Sequence, residues 1–325
     1  MDRHAPSRRA RLGFLNPDCA RATVFGLDVR AELPLRMLRE ARARPTGREL
    51  ALTVGEADAR IEWPSDAERI SDEMAPDGSI SLCIEAHREA GYLISGPQFG
   101  AHLLSRDGRK VRCAPRGAPA ERWERLLIAQ VLPFAAVVRG LEVFHASAVT
   151  LNQEALVFIG PSRAGKTSLA LDLCARGASF LADDVLALER HGDRVFGHAG
   201  SPVASLDRLA REQDRASPDD LLAIDDRERL VSVEGATQPA AVQALFFLDR
   251  RPDGPARPRF ESVEDPRTLL AATFNFVLAT PERLHRLLDV CALAAQRRVE
   301  RITIGPDVTA RKLGNAVIRR LGTVR

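Results

Sequence analysis

The stretch FIGPSRAGKTS, residues 158–168, decides the fold of this chain. It contains the pattern GxxxxGKT at residues 160–167. The apolar run at 155–159 before it is typical of a buried strand, and SLALDL at 168–173 after it is typical of a helix. This order of strand, glycine-rich loop and helix is the setting in which such loops cradle phosphate groups. The stretch therefore predicts a nucleotide-binding α/β protein.

The choice of lysine at position 166 supports this prediction. Lys166 is one of three lysines among 47 basic residues. An ammonium group is compact and fits among the backbone N–H groups around a phosphate, whereas a guanidinium is planar and larger. Where many such loops have another glycine, this chain has Arg163, which adds a cation. We predict that the phosphates are bound by Gly160, Pro161, Ser162, Arg163, Ala164, Gly165, Lys166, Thr167 and Ser168.

The composition is that of an ordinary globular protein. With 325 residues and 45% apolar content, the chain is long enough for two domains. A net charge of +3, with both signs interspersed, predicts neither a nucleic-acid partner nor a membrane surface. Five cysteines without paired spacing indicate a reducing compartment. The chain also has no long uninterrupted apolar stretch, so we expect a cytoplasmic protein.

The chain divides into two predicted domains. Residues 1–117 form a smaller β-rich N-terminal domain of unknown role, with a hairpin that turns at Asp107-Gly108. The segment APRGAPA at 114–120 is rich in proline and glycine, as domain boundaries often are. Residues 118–325 form the second domain, which begins with a helix kinked at Pro133.

A predicted hairpin brings a histidine to the phosphate loop. If Asn152-Gln153 form a two-residue turn, the numbers of paired residues sum to 305, and His145 faces Gly160. A lone histidine is more often structural than catalytic. Its position beside a predicted phosphate site nevertheless favours a functional role.

Two adjacent carboxylates, Asp183 and Asp184, follow the next predicted strand. A right-handed β-α-β crossover predicts that this strand lies beside the first one and parallel to it. Neighbouring strand residues point to opposite sides, so the two carboxylates share a task only if the chain bends there. Like charges raise each other's pKa, while Mg²⁺ and Lys166 lower it. One carboxylate can then accept a hydroxyl proton during phosphoryl transfer.

The segment at 144–185, FHASAVTLNQEALVFIGPSRAGKTSLALDLCARGASFLADDV, resembles the core of the HPr kinase/phosphorylase family. The resemblance rests on His145, the loop at 160–167, LADD at 181–184 and the short spacing between the last two. The kinase domain of that family is itself similar to phosphoenolpyruvate carboxykinase. The resemblance implies an α/β fold, with a P-loop kinase domain of this type behind a smaller β-rich N-terminal domain.

The resemblance also implies roles for individual residues. Asp183 is expected to be the base that activates a serine hydroxyl, with His145 supporting it and Lys166 neutralising phosphate charge. Thr167 and Asp184 are expected to hold Mg²⁺, with ATP as the phosphoryl donor. Arg227 or Arg229 could supply a cation to the transferring phosphoryl group, and the sequence leaves open which of them does so.

One part of the family pattern is absent. The signature glutamate-isoleucine-arginine-glycine-leucine-glycine is missing, and the corresponding region, 198–222, is HAGSPVASLDRLAREQDRASPDDLL. The chain is therefore similar to the broader group of HPr-kinase-related serine kinases, some of which phosphorylate peptides such as lasso-peptide precursors. Whether it also has phosphorylase activity stays open.

We predict Mg²⁺- and ATP-dependent phosphorylation of a hydroxyl group on a protein or peptide. Two alternatives remain at this point. One is a regulatory nucleotide-binding module that hydrolyses ATP slowly or not at all, and the other is a small-molecule kinase. The sequence identifies no acceptor, and it leaves both a monomer and a homo-oligomer open.

Overall fold

The computed structural model describes residues 21–32, 35–38, 45–55, 63–75, 77–115, 118, 120–207, 221–224, 228–263, 265, 267–274 and 280–322. The fold is mixed α/β, as predicted. The contacts divide the chain into two compact units between Leu141 and Glu142. Within the described ranges, no helix is long and apolar enough to cross a lipid bilayer.

The first unit is built on a mixed sheet. Its strands, in chain order, are β1 (Arg21–Val24), β2 (Leu27–Ala31), β3 (Glu49–Val54), β4 (Glu68–Met74), β5 (Ile80–His87), β6 (Gly91–Gly96), β7 (Gly100–Leu104) and β8 (Lys110–Ala114). They are ordered β1-β2-β3-β8-β7-β6-β5-β4 across the sheet, and β3 is parallel to both of its neighbours. The predicted hairpin at Asp107-Gly108 joins β7 to β8. The β-rich character expected of this part of the chain is therefore present.

A helical segment follows this sheet and packs on it. The segment consists of α1 (Ala120–Leu126), a π-helical turn (Leu127–Val131) and α2 (Leu132–Val138). The π-helical turn comes just before Pro133, the site of the predicted kink, which lies in the first turn of α2. The ring of Phe134 meets Tyr92 edge to face, with 4.9 Å between centroids. Because of such contacts the segment belongs to the first unit, and the division falls later than the predicted 117/118 boundary. Whether 118–325 folds as a separate domain stays a prediction.

The second unit contains the remaining elements. These are β9 (Glu142–Phe144), β10 (Ala146–Leu151), β11 (Glu154–Ile159), α3 (Lys166–Cys174), β12 (Ser179–Ala182), β13 (Leu186–His191), β14 (Arg194–His198), β15 (Val203–Asp207), β16 (Leu221–Ile224), β17 (Glu228–Ser232), β18 (Ala240–Arg250), β19 (Arg259–Ser262), α4 (Arg267–Leu270), α5 (Pro281–Ala295), β20 (Arg298–Ile304) and α6 (Ala310–Leu321).

The larger sheet of this unit places three loops at one edge. Strand β18 is parallel to β11 on one side and to β20 on the other. The carboxyl ends of these three strands therefore lie at the same edge, which is where open α/β sheets bind their ligands. The residues that follow two of these ends are Gly160, after β11, and Gly305, after β20.

The register of the β10–β11 hairpin is as predicted, but the predicted position of β12 in the sheet is not. Strands β10 and β11 pair from Ala146 with Ile159 to Leu151 with Glu154, so paired numbers sum to 305. The prediction that β12 lies beside β11 is wrong, because β12 pairs with β10 in antiparallel fashion. The physical reason is that both edges of β11 are already occupied, one by its hairpin partner β10 and the other by β18.

Strand β11 supports the site from a buried position. Its alternate side chains enter two apolar clusters, with Phe158 in one and Val157 in the other. Helices α3 and α6 contribute to the first cluster, whereas α5 contributes to the second. A strand covered on both faces needs a continuous apolar run, as residues 155–159 provide. The loop at the end of β11 therefore starts from a rigid support.

Candidate active site

The loop from Gly160 to Gly165, called the glycine loop below, needs both of its glycines. A Cβ atom on Gly160 would lie 2.7 Å from the backbone oxygen of Leu248 in β18, which is too close for any other residue. Gly165 has a φ of 100°, in the region that only glycine adopts without strain, and it caps the N-terminus of α3. The loop thus lies tightly against β18 before it turns into the helix.

The ammonium group of Lys166 lies within this loop. Its Nζ donates hydrogen bonds to the backbone oxygens of Gly160 at 2.9 Å and Pro161 at 3.1 Å. Burial lowers the pKa of Lys166, while the charges of Asp184 and Asp183 raise it. The ammonium is therefore held at the N-terminus of α3, where the charges of both carboxylates act on it.

The carboxylate of Asp183 accepts hydrogen bonds from three groups. Ser147 Oγ donates to Oδ1 at 2.5 Å, and the backbone N–H of Ser205 donates to Oδ2 at 3.0 Å. Thr167 Oγ1 lies within hydrogen-bond distance of both carboxylate oxygens, at 2.9 and 3.1 Å. Strands β10 and β15 and the first turn of α3 thus meet at this one side chain.

The proton affinity of Asp183 is unusual for a carboxylate. Burial and the neighbouring charge of Asp184 raise its pKa to about 6, and the hydrogen bonds from Ser147, Ser205 and Thr167 oppose this rise. A carboxylate with a raised pKa is a better proton acceptor near neutral pH than an ordinary aspartate.

The chain bends between the two aspartates. The backbone N–H of Val185 donates to the carbonyl oxygen of Asp183 at 2.7 Å, which closes a three-residue turn. At the centre of this turn Asp184 has a φ of 62°, uncommon for a residue with a side chain. Asp184 therefore departs from strand geometry, and the charges of both aspartates act on Lys166. Backbone strain of this kind is concentrated at functional sites.

His145 lies immediately before β10 and interacts with Asp184. Burial and the charge of Lys166 lower the pKa of His145, whereas the charge of Asp184 and a hydrogen bond with its backbone raise it. The backbone N–H of His145 donates to the carbonyl oxygen of Ala272 at 2.7 Å, and its ring lies 6.3 Å from that of Phe274. The hairpin therefore holds the imidazole at the aspartate pair, next to Asp184.

Two of the three arginines predicted near the phosphates lie among the described residues. Arg163 has a φ of 65° and an exposed side chain that pairs with Asp207 at the end of β15, at 3.3 Å. Arg229 lies in β17 opposite Leu206, and its Nε is buried without a hydrogen-bond partner among the described residues. Arg227 lies outside the described residues.

Sequence reasoning missed two groups that contact Asp183 and one that contacts the glycine loop. The backbone of Ser205 and the side chain of Ser147 bond to Asp183, and Arg250 donates to the carbonyl of Ala164 at 3.3 Å. The hairpin register already pairs Ser147 with Phe158, two positions before the loop, and this signal could have identified it. No comparable sequence signal exists for Ser205 or Arg250.

Comparison with known proteins supports the resemblance deduced from the motifs. Over 60 residues the chain is 37% identical to an HPr kinase/phosphorylase from Prosthecochloris aestuarii. The matched segment spans 18% of this chain and 18% of that relative. The chain is thus related in sequence to HPr kinase/phosphorylase over a limited part of its length.

A solved structure is also similar in part. The Hpr(Ser) kinase/phosphatase from Coxiella burnetii shares 14% sequence identity, with a TM-score of 0.30. The superposition covers 56% of this chain and 96% of that one. No protein-family model matches the chain.

Proposed function

We propose that this protein is a kinase that transfers the γ-phosphoryl group of Mg·ATP to a serine-type hydroxyl group of a protein or peptide. The observation that carries this proposal is the convergence of Lys166, Thr167 and Asp183 at the end of β11. Lys166 lies inside the glycine loop, and Thr167 bonds to Asp183. The similarity to an HPr kinase/phosphorylase supports a phosphotransferase of this kind.

The residues present suit both a nucleotide and a magnesium ion. The helix that follows the glycine loop offers unpaired N–H groups to an anion. Among the described residues no cluster of three His, Cys, Asp or Glu side chains forms a complete metal site. Mg²⁺ usually binds through one or two carboxylates together with substrate phosphates and water, so the hydroxyl of Thr167 and one carboxylate of the aspartate pair are sufficient. When bound, the ion supplies positive charge that stabilises the transferring phosphoryl group.

The reaction forms one bond and breaks another. The serine oxygen attacks the γ-phosphorus, the bond from that phosphorus to the bridging oxygen breaks, and ADP leaves. The serine proton goes to a carboxylate of the site. Lys166 neutralises charge on the phosphates, and the glycine loop holds them in place.

We assign the role of proton acceptor to Asp183, as the family resemblance implies, and the role of metal ligand to Thr167 and Asp184. The raised pKa of Asp183 supports this assignment. A second assignment exchanges the two aspartates. It is favoured by a different observation, because Thr167 bonds to Asp183 while His145 interacts with Asp184.

The experiment uses the full chain, Mg²⁺ and ATP labelled at the γ-phosphate. We expect label to appear on serine residues of an acceptor protein or peptide, with autophosphorylation as the readout until an acceptor is identified. Release of label as inorganic phosphate alone, or binding without transfer, would favour a regulatory nucleotide-binding module instead. Transfer only to small hydroxyl compounds in a cell extract would indicate a small-molecule kinase.

A further inference from the structure

The side chain of Arg250 joins the glycine loop to a second loop. Arg250 is the last residue of β18, and its Nε donates to the carbonyl oxygen of Ala164 at 3.3 Å. Its two terminal nitrogens donate to the loop after β20, with contacts to the carbonyl oxygens of Gly305 at 2.9 Å, Pro306 at 3.1 Å and Val308 at 3.1 Å. A single half-buried guanidinium therefore contacts carbonyl groups of both loops.

The guanidinium lies very close to the turn of the glycine loop. A Cβ atom on Gly165 would lie 3.3 Å from a terminal nitrogen of Arg250, which leaves no room for a larger residue without movement. The second loop is packed more tightly still, against another segment, since a Cβ atom on Gly305 would lie 2.5 Å from the backbone oxygen of Gly254. Arg250 thus contacts two closely packed loops.

The planar peptide bond connects this contact to phosphate binding. The carbonyl of Ala164 and the N–H of Gly165 belong to one peptide plane and point in opposite directions. A hydrogen bond that fixes the carbonyl toward Arg250 therefore fixes the N–H of Gly165 toward the opposite side. An anion site made of backbone N–H groups depends on such orientations.

We propose that Arg250 is a positioning residue of the nucleotide site, which orients the peptide between Ala164 and Gly165 by holding it against the loop of Gly305 to Val308. The proposal rests on the proposed function, because it assigns Arg250 to the same phosphate site. Lysine is a poor substitute, since its ammonium lacks the planar fork that reaches carbonyl groups on two loops at once.

The test is calorimetric measurement of Mg·ATP and Mg·ADP affinity for the full chain and for Arg250→Ala and Arg250→Lys. We expect Arg250→Ala to weaken the binding of both nucleotides by about tenfold or more, because it removes the charge-assisted hydrogen bond that orients the carbonyl of Ala164. Arg250→Lys should recover only part of this loss. At saturating Mg·ATP the transfer rate of the variants should fall by less than their affinity does, because these contacts of Arg250 are with backbone carbonyl groups of the two loops.

Arg251→Ala is the matched control. Arg251 is the next residue, but its side chain is exposed and pairs with Asp249 at 2.6 Å. This variant should bind both nucleotides as the natural chain does. Millimolar guanidinium should restore part of the affinity of Arg250→Ala, while sodium chloride at the same ionic strength should not. Loss of affinity through general destabilisation would not be rescued in this way.

Two outcomes would overturn the proposal. The first is a folded Arg250→Ala or, should that variant fail to fold, a folded Arg250→Lys that binds Mg·ATP within about twofold of the natural chain. The second is a loss of affinity in Arg251→Ala as large as the loss in Arg250→Ala. Lys166→Ala measured in parallel separates this failure from failure of the proposed function. If Lys166→Ala abolishes nucleotide binding while the Arg250 variants bind nucleotide as the natural chain does, the proposed role of Arg250 is wrong and the proposed nucleotide site stands.

Discussion

The hydroxyl group of Thr167 lies 2.9 and 3.1 Å from the two carboxylate oxygens of Asp183, so the first turn of α3 is hydrogen-bonded to the end of β12. The same carboxylate accepts hydrogen bonds from Ser147 and from the backbone of Ser205. A hydroxyl in this position can keep its bond to Asp183 and still offer an oxygen lone pair to Mg²⁺. The contact therefore fits either division of roles between Asp183 and Asp184, and the two must be separated by experiment.

Asp183→Asn should leave Mg·ATP binding nearly intact while phosphoryl transfer falls about 10² to 10⁴-fold, the usual effect of removing a general base. The amide fills the same space but cannot accept the serine proton. Asp184→Asn should instead shift activity to higher Mg²⁺ concentration, since a neutral amide is a poorer ligand for a hard cation. Single-turnover transfer and a Mg²⁺ titration of each variant measure the two effects.

His145→Ala should reduce transfer by less than Asp183→Asn does, because the imidazole acts through the aspartate pair. If the two asparagine variants exchange these phenotypes, Asp184 is the proton acceptor and Asp183 holds the metal. If they behave identically, the pair is a shared metal site.

Lys166→Ala should severely weaken Mg·ATP binding. The ammonium is held inside the glycine loop by the carbonyl oxygens of Gly160 and Pro161, and neither of the other two lysines is close to it in sequence. Lys166→Arg should be almost as harmful, because a planar fork does not fit where the ammonium lies. Lys110→Ala, which removes an exposed lysine of the first unit, is the control and should bind normally. Full affinity by calorimetry in both Lys166 variants would contradict the phosphate-loop assignment.

Ser147→Ala should slow phosphoryl transfer more than it weakens Mg·ATP binding. Its hydroxyl is fully buried and donates to Asp183 at 2.5 Å, so its loss removes one of the three groups that orient that carboxylate. Ser205→Ala is a matched control, because Ser205 bonds to the same carboxylate through its backbone N–H, which alanine retains. Equal transfer rates in Ser147→Ala and the natural chain would show that Ser147 does not orient Asp183.

His102 should make the first unit sensitive to acid. Its ring is fully buried beside Cys113, with 3.2 Å between Nδ1 and Sγ, and burial lowers the pKa of His102 to about 3 from an ordinary 6.5. Between these values the unfolded chain binds a proton that the folded chain does not. The free energy of unfolding should therefore decrease as the pH falls below 6.5, by about 1.4 kcal/mol per pH unit for this one proton.

The variant His102→Gln is neutral at every pH and should lack this contribution. Thermal unfolding of both proteins between pH 7 and pH 5 measures it as a difference in slope. Parallel slopes would mean that the buried histidine is protonated in the folded state or that acid unfolding begins elsewhere.

The sequence by itself determined the local features of the site. The strand, glycine loop and helix, the register of the β10–β11 hairpin and the position of Asp183 after β12 all follow from patterns within a few tens of residues. Such features are readable because side-chain periodicity, tight turns and glycine conformations depend on neighbours in the chain.

Only the tertiary structure decided which distant groups meet. It inserted β10 between β11 and β12, bent the chain at Asp184, brought Ser147 to Asp183 and set Arg250 across two loops. Strand order depends on which edges other segments have already filled. Side-chain contacts depend in turn on the order and direction of strands far apart in the chain, and no local pattern of residues encodes these.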